Sequence, residues 1–163
     1  MASKWFAVAM MLAAASAEAG SANGTLSVTA QVSVACAINT ATLAFSSYDA
    51  VQGTAVQGST TLSVVCTKGA TAVVTLGQGS QPALGSTDTA PQRQMALLLS
   101  RLGYTLYQDS ARTVVWGNTS ATGLSYIATG SSLDSLTVYG TITASQDVPA
   151  GSYADSVVAT MTF

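Results

Sequence analysis

Few residues in this chain are able to carry out chemistry. Its 163 residues include no histidine, which excludes a Ser-His-Asp triad, a Cys-His pair and an imidazole-ligated metal. The acids beyond the N-terminus are isolated aspartates: Asp49, Asp88, Asp109, Asp134, Asp147 and Asp155. Glycoside hydrolysis needs two carboxylates facing each other across the scissile bond. Distant turns can in principle assemble such a pair, but nothing in the pattern points to one. Most of these aspartates stand in turn-like stretches, where the side chain accepts hydrogen bonds from its own backbone. Gly77-Gln78-Gly79 is followed by no lysine-bearing helix and so makes no phosphate cradle. Tyr104, Tyr107, Trp116, Tyr126, Tyr139 and Tyr153 offer rings for stacking on sugars, although cross-strand packing accounts for them more simply. Asn23-Gly24-Thr25 and Asn118-Thr119-Ser120 match glycosylation sequons, which matter only in a eukaryotic secretory pathway. No catalytic residue, cofactor or metal is expected, and the chain is not read as an enzyme.

The cysteines carry the remaining chemistry. Lys4 precedes an apolar run over residues 5–15, and Ala15-Ser16-Ala17 and Ala17-Glu18-Ala19 are both small-x-small cleavage patterns. The run is shorter than the roughly 20 residues of a membrane-spanning helix. A secretory signal peptide over residues 1–19 is therefore expected, leaving Gly20 first in the exported chain. Beyond it lie two cysteines, Cys36 and Cys66. An even pair in an oxidising compartment reads as a disulfide. The closed loop of about 30 residues is worth roughly 3.5 to 4 kcal/mol in the chain-entropy model. The alternative is two free thiols or a metal site, and without histidine the second is poorly supplied with ligands.

Composition sets the class. Charged residues make up 7% of the chain, against a usual share of about 25%, while apolar residues make up 48%. The formal net charge is −2, with no basic cluster, so neither a nucleic-acid footprint nor polybasic membrane attraction is present. The length suits one domain with a real core.

The elements that must position these residues read as short strands. Leu26, Val28, Ala30, Val32, Val34, Cys36 and Ile38 are apolar, and Thr25, Ser27, Thr29, Gln31 and Ser33 are polar. This strict period of two predicts one strand of about 13 residues with a single buried face, longer than the usual strand of about 5 or 6. Either it bends across two sheets, or its first half pairs with something else. Residues 61–66 and 72–76 alternate in the same way. Residues 80–93, with Pro82, Gly85, Asp88 and Pro91, read as an exposed loop. Residues 95–102 are apolar enough for a short helix or a buried strand, and with no capping pattern in view they are read as a strand. Residues 104–108 and 113–116 read as two more, joined by the polar turn Asp109-Ser110-Ala111-Arg112. Leu136, Val138, Ile142 and Ala144 form a further strand, with Gly140 placed for a bulge or close approach. After the turn at Val148-Pro149-Ala150-Gly151, Tyr153, Val157, Ala159, Met161 and Phe163 alternate with polar or small residues. Asp155 falls on that apolar register near the strand's start, where it can still reach water. Such a last strand is either buried centrally or an edge awaiting a partner. Seven or eight strands, as a rough count, predict a β-sandwich.

Three segments together resemble the spore coat protein U domain, the subunit domain of archaic, Csu-type chaperone-usher pili. They are the alternating run from Gly24 into Cys36, the run Tyr104-Thr105-Leu106-Tyr107-Gln108-Asp109-Ser110-Ala111-Arg112-Thr113 followed by Trp116-Gly117, and the ending Pro149-Ala150-Gly151-Ser152-Tyr153-Ala154-Asp155-Ser156 with its alternating strand. The order and the cysteine positions agree over essentially the whole chain after the signal. The resemblance implies an all-β, incomplete immunoglobulin-like β-sandwich completed by donor-strand exchange. It divides the chain into the signal peptide, a donor segment at residues 20–34 and the sandwich at residues 35–163. It implies that Leu26, Val28, Ala30 and Val32 insert into a neighbouring subunit. Val157, Ala159, Met161 and Phe163 would then border the acceptor groove and face a periplasmic chaperone. The partners implied are that chaperone, an outer-membrane usher and identical or related subunits. The location implied is the cell surface, reached through the periplasm, or the secreted fraction. The function implied is that of a shaft or minor subunit of an adhesive pilus, serving surface attachment and biofilm formation. A spore coat protein and a secreted carbohydrate-binding module are the alternatives; the module would need exposed aromatics on one face.

Overall fold

The computed structural model describes residues 18–40 and 42–163. The expected signal peptide lies outside the described residues, apart from its last two positions. The chain divides into two units, Met1–Gln31 and Val32–Phe163. In the first, every described residue is exposed and none is in regular secondary structure.

The second unit carries eight strands: β1 (Cys36–Asn39), β2 (Val56–Cys66), β3 (Thr71–Leu76), β4 (Arg93–Leu97), β5 (Ser100–Tyr107), β6 (Leu124–Ile127), β7 (Asp134–Ile142) and β8 (Ala159–Thr162). There is no helix among the described residues. One sheet has the order β1-β2-β7-β5-β4 and the other β6-β3-β8, and every pairing is antiparallel. The core is the inward half of each alternating pattern: Leu62, Val74, Leu76, Leu102, Leu106, Val138 and Ile142 are all buried. Thr, Ser and Gln hold the outward positions, as a sheet with one wet face requires. Trp116 is fully buried and its indole N–H donates to the Val74 carbonyl at 2.8 Å. Cys36 and Cys66 stand directly opposite each other on β1 and β2 and form the disulfide.

Several elements differ from the sequence-based expectation. The 13-residue first strand is reduced to Cys36–Asn39. Ahead of it, Leu26, Val28 and Val32 are more than 80% exposed, and the ladder to β2 stops just before Cys36, where Ala35 still bonds Thr67 through its N–H and its carbonyl. The apolar run over residues 95–102 is a hairpin, not one strand. Its turn is made by Leu98 and Leu99, with Leu97 paired to Ser100 and Leu98 at φ 52. Residues 113–116 contribute one bridge, Tyr107 to Val115, in place of a strand. β6 is a strand that the sequence pattern did not single out. The C-terminal run is divided: Ala154 bridges to Ala96 of β4 in the larger sheet, and only Ala159–Thr162 pairs with β3 in the smaller one. The exposed loop ends at Arg93, which is 1% exposed.

Candidate functional site: an open groove beside the last strand

β8 is an edge strand of the smaller sheet and β1 an edge strand of the larger. The two are neighbours across the sandwich. At the disulfide they are held close, with Met161 Sδ 3.8 Å from Cys66 Sγ. Away from that contact they leave an open cavity of about 300 Å³. One wall is Leu43 and Phe45, which follow β1; the other is Val157 and Ala159; the core residues Leu62 and Leu76 form its floor.

The Leu43–Phe45 wall depends on two glycines. Gly58 of β2 and Gly140 of β7 lie opposite each other, on the inner face. A Cβ at Gly140 would sit 2.8 Å from the Phe45 ring, and one at Gly58 3.1 Å from it. The ring rests on bare backbone, a close approach that any larger residue at 140 would block. Phe45 also meets Tyr104 edge to face, with centroids 6.2 Å apart. Leu43 and Phe45 were not among the residues expected at the site. Their alternation around Ala44 is the available signal, too short to stand out.

The polar end of the groove is built on Asp155. Its carboxylate accepts the Tyr104 hydroxyl at 2.6 Å and the backbone N–H groups of Ser80 and Ser156 at 2.8 Å each. Burial pushes the Tyr104 phenol up, and the bond to Asp155 pushes it further. Nearby, Arg93 donates from Nε to the Gly77 carbonyl at 2.7 Å and from Nη2 to the carbonyls of Leu76 and Trp116 at 2.7 and 2.8 Å. Burial lowers its pKa to about 10, against the opposing pull of Tyr104 and Asp155. Apart from Arg93 Nη1, which is buried without a hydrogen-bond partner, these groups are occupied by structural bonds.

Asp49, Asp88, Asp109 and Asp134 accept hydrogen bonds as well. Asp109 closes the Asp109-Ser110-Ala111-Arg112 turn by accepting from the N–H of Val114 at 2.8 Å and from the Thr113 hydroxyl at 2.8 Å. The Val114 bond is the main reason its pKa lies below the usual carboxylate range. Arg112 folds back over the Tyr139 ring, 5.6 Å from its centroid. Tyr139 is itself paired across strands with Tyr107, while Tyr104, Trp116 and Tyr126 are buried. The aromatics therefore serve cross-strand and core packing. Among the described residues no cluster of three or more Cys, Asp or Glu is placed to hold a metal.

Of the residues expected to border a groove, Val157 and Ala159 line it. Met161 is half-buried against the disulfide, and Phe163 is 59% exposed. Of the expected donor face, Leu26, Val28, Ala30 and Val32 are all exposed.

The family model of the Spore Coat Protein U domain matches residues 22–160 of this chain. The chain belongs to the spore coat protein U domain family. Protein U of Myxococcus xanthus is 45% identical over 168 aligned residues, which cover 96% of this chain and 93% of that protein. The fold of this spore coat U domain is also similar to a chain in the crystal structure of the CsuC-CsuE chaperone-tip adhesion subunit pre-assembly complex, from archaic chaperone-usher Csu pili of Acinetobacter baumannii. The TM-score is 0.56 at 21% identity, over 81% of this chain and 40% of the length of that one.

Proposed function

We propose that the chain is a structural subunit that assembles into an extracellular fibre by strand donation. The observation that carries this reading is the free edge of β8 alongside an open apolar groove, in a chain that also holds an unpaired period-two segment with its apolar side chains in water. The groove needs a strand, and the segment needs a sheet edge. In β-augmentation, main-chain hydrogen bonds set the register and alternate side chains fill pockets. Residues 20–34 are the donor segment, with Leu26, Val28, Ala30 and Val32 as the inserted face. Residues 35–163 are the acceptor domain, with Val157, Ala159 and Met161 along its groove and Phe163 at its end. Residues 1–19 direct export. Head-to-tail donation is heterologous and does not close, so it yields a filament.

Fold similarity to a subunit of a Csu chaperone complex favours a pilus subunit at the cell surface, serving attachment and biofilm formation. A periplasmic chaperone fills the groove until an outer-membrane usher assembles the fibre. The 45% identity to Protein U across nearly both full lengths favours a second setting, a spore coat built by the same assembly. Neither setting gives the chain a catalytic role.

Deleting residues 20–32 separates donation from self-completion. If those residues serve a neighbour, the truncated subunit co-expressed with its chaperone gives a soluble complex and no fibres. Val28→Asp does the same, by placing an unpaired charge in an apolar pocket. Loss of the complex itself, with the chaperone active on the full chain, would show that the segment completes its own domain.

A further inference from the structure

Gly77-Gln78-Gly79 and Asp155 meet in the structure, in a strap over residues 154–158 that runs from one sheet to the other. At the start of the strap, Ala154 exchanges two backbone bonds with Ala96 of β4, at 2.8 and 3.2 Å. After its end, Ala159 opens β8 against Leu76 of β3. In between, Asp155 ties the strap to both sides of the sandwich: Tyr104 of β5 donates to one carboxylate oxygen and the Ser80 N–H, beyond β3, to the other. Two further bonds run alongside, from Ser80 Oγ to the Ser156 carbonyl at 3.2 Å and from the Gly77 N–H to the Val158 carbonyl at 2.8 Å. Gly79 sits at φ 87, and a Cβ there would collide with the Asp155 carboxylate. Glycine thus leaves both the backbone turn and the space that the carboxylate needs. From behind, Arg93 holds the carbonyls of Leu76 and Gly77.

Tyr104, Asp155, Ser156 and Val157 all line the groove. An empty apolar groove tends to close, because closure takes apolar surface out of water. A hydrogen bond to a carboxylate is roughly twice as strong as one between neutral groups, and it opposes that collapse here. We infer that Tyr104 and Asp155 are the positioning residues for strand capture: they pin the strap to both sheets, so that the edge leading into β8 stands clear of Leu43 and Phe45 and the groove stays open. This rests on the acceptor reading above. A groove held open in advance binds more tightly, because less ordering remains to be done on binding.

The probe is a fluorescent peptide with the sequence of residues 24–34. The full chain is refolded from denaturant across a titration of the peptide, and bound peptide per folded chain is measured where each variant is fully folded. Tyr104→Phe removes only the hydroxyl and keeps the ring against Phe45. Gly79→Ala displaces the same carboxylate from the opposite side, at a residue that does not itself line the groove. Val157→Asp reports on the acceptor reading itself. Expected are capture by the unmodified chain, none by Val157→Asp, and affinity lowered about 10-fold or more by Tyr104→Phe and by Gly79→Ala. Unchanged affinity in Tyr104→Phe, with capture still lost in Val157→Asp, overturns the positioning role alone. If Gly79→Ala does not refold, Tyr104→Phe decides by itself. No capture by the unmodified chain overturns the acceptor reading and the positioning role with it.

Discussion

Arg93, Trp116, Tyr104 and Asp155 place polar atoms inside a domain whose other interior residues are largely aliphatic. Each finds partners, mostly main-chain groups of a neighbouring strand or loop: Arg93 takes three carbonyls, Trp116 one, and Asp155 two N–H groups and a phenol. A buried polar group left without a partner costs about 1 to 3 kcal/mol, so this network fixes one alignment of the two sheets among those that hydrophobic burial alone would allow. It also makes the domain sensitive to alkali. The Tyr104 pKa in the folded chain is raised, first by burial and then by Asp155, whereas in the unfolded chain it takes its ordinary value of about 10. Above that pH the unfolded chain releases a proton that the folded chain retains, so stability falls as pH rises. The slope from this one group reaches at most about 1.4 kcal/mol per pH unit. Tyr104→Phe lacks it. Denaturant unfolding is expected to show the advantage of the unmodified chain over Tyr104→Phe shrinking above about pH 10. An advantage constant across that range would contradict the assignment.

Among the elements, the β4–β5 hairpin is the one whose turn chemistry runs against its sequence. Two-residue hairpin turns favour Asn or Gly where φ is positive, and here Leu98 occupies such a position, 89% exposed. Leu98→Asn is expected to raise stability by about 1 kcal/mol by relieving left-handed strain, read as a shift in the unfolding midpoint. A fall in stability would mean that Leu98 makes contacts outweighing its backbone cost. This turn also shows what the sequence withheld. Residues 95–102 form a largely apolar run with no Gly, Pro, Asn or Asp to divide it, so periodicity alone reads it as one strand. β6 has four residues, too few for a period to show. Arg93 looked like the end of a polar loop, since its burial depends on carbonyls contributed by distant elements. By contrast, the Asp109 turn, β3, the disulfide and the final alternation could be read directly, because each rests on local spacing or on a count of cysteines. Residues 24–35 stand between these cases. Their alternation is plain in the sequence, but alternation states only that one face is apolar. It does not say which sheet that face meets.

At the scale of the whole molecule, the domain has eight strands among its described residues and a groove where the smaller sheet stops at β8. An exposed edge above an apolar cavity is an aggregation hazard unless something occupies it. Under the proposed strand donation, occupation by the alternating segment of the next chain would turn that hazard into ordered growth. The most direct test uses two populations of the chain carrying different tags. One bears a cysteine at residue 26, 28, 30 or 32 in turn (Leu26→Cys, Val28→Cys, Ala30→Cys or Val32→Cys). The other bears Ala159→Cys on β8. Cys36 and Cys66 are joined to each other, so the introduced thiols report cleanly. The populations are assembled together, oxidised and separated without reductant. Strand donation predicts a disulfide between the two tags from at least one of the four donor positions, with Ser27→Cys and Thr29→Cys giving none. Assembled fibres in which no disulfide joins the two tags from any of the four donor positions would contradict it.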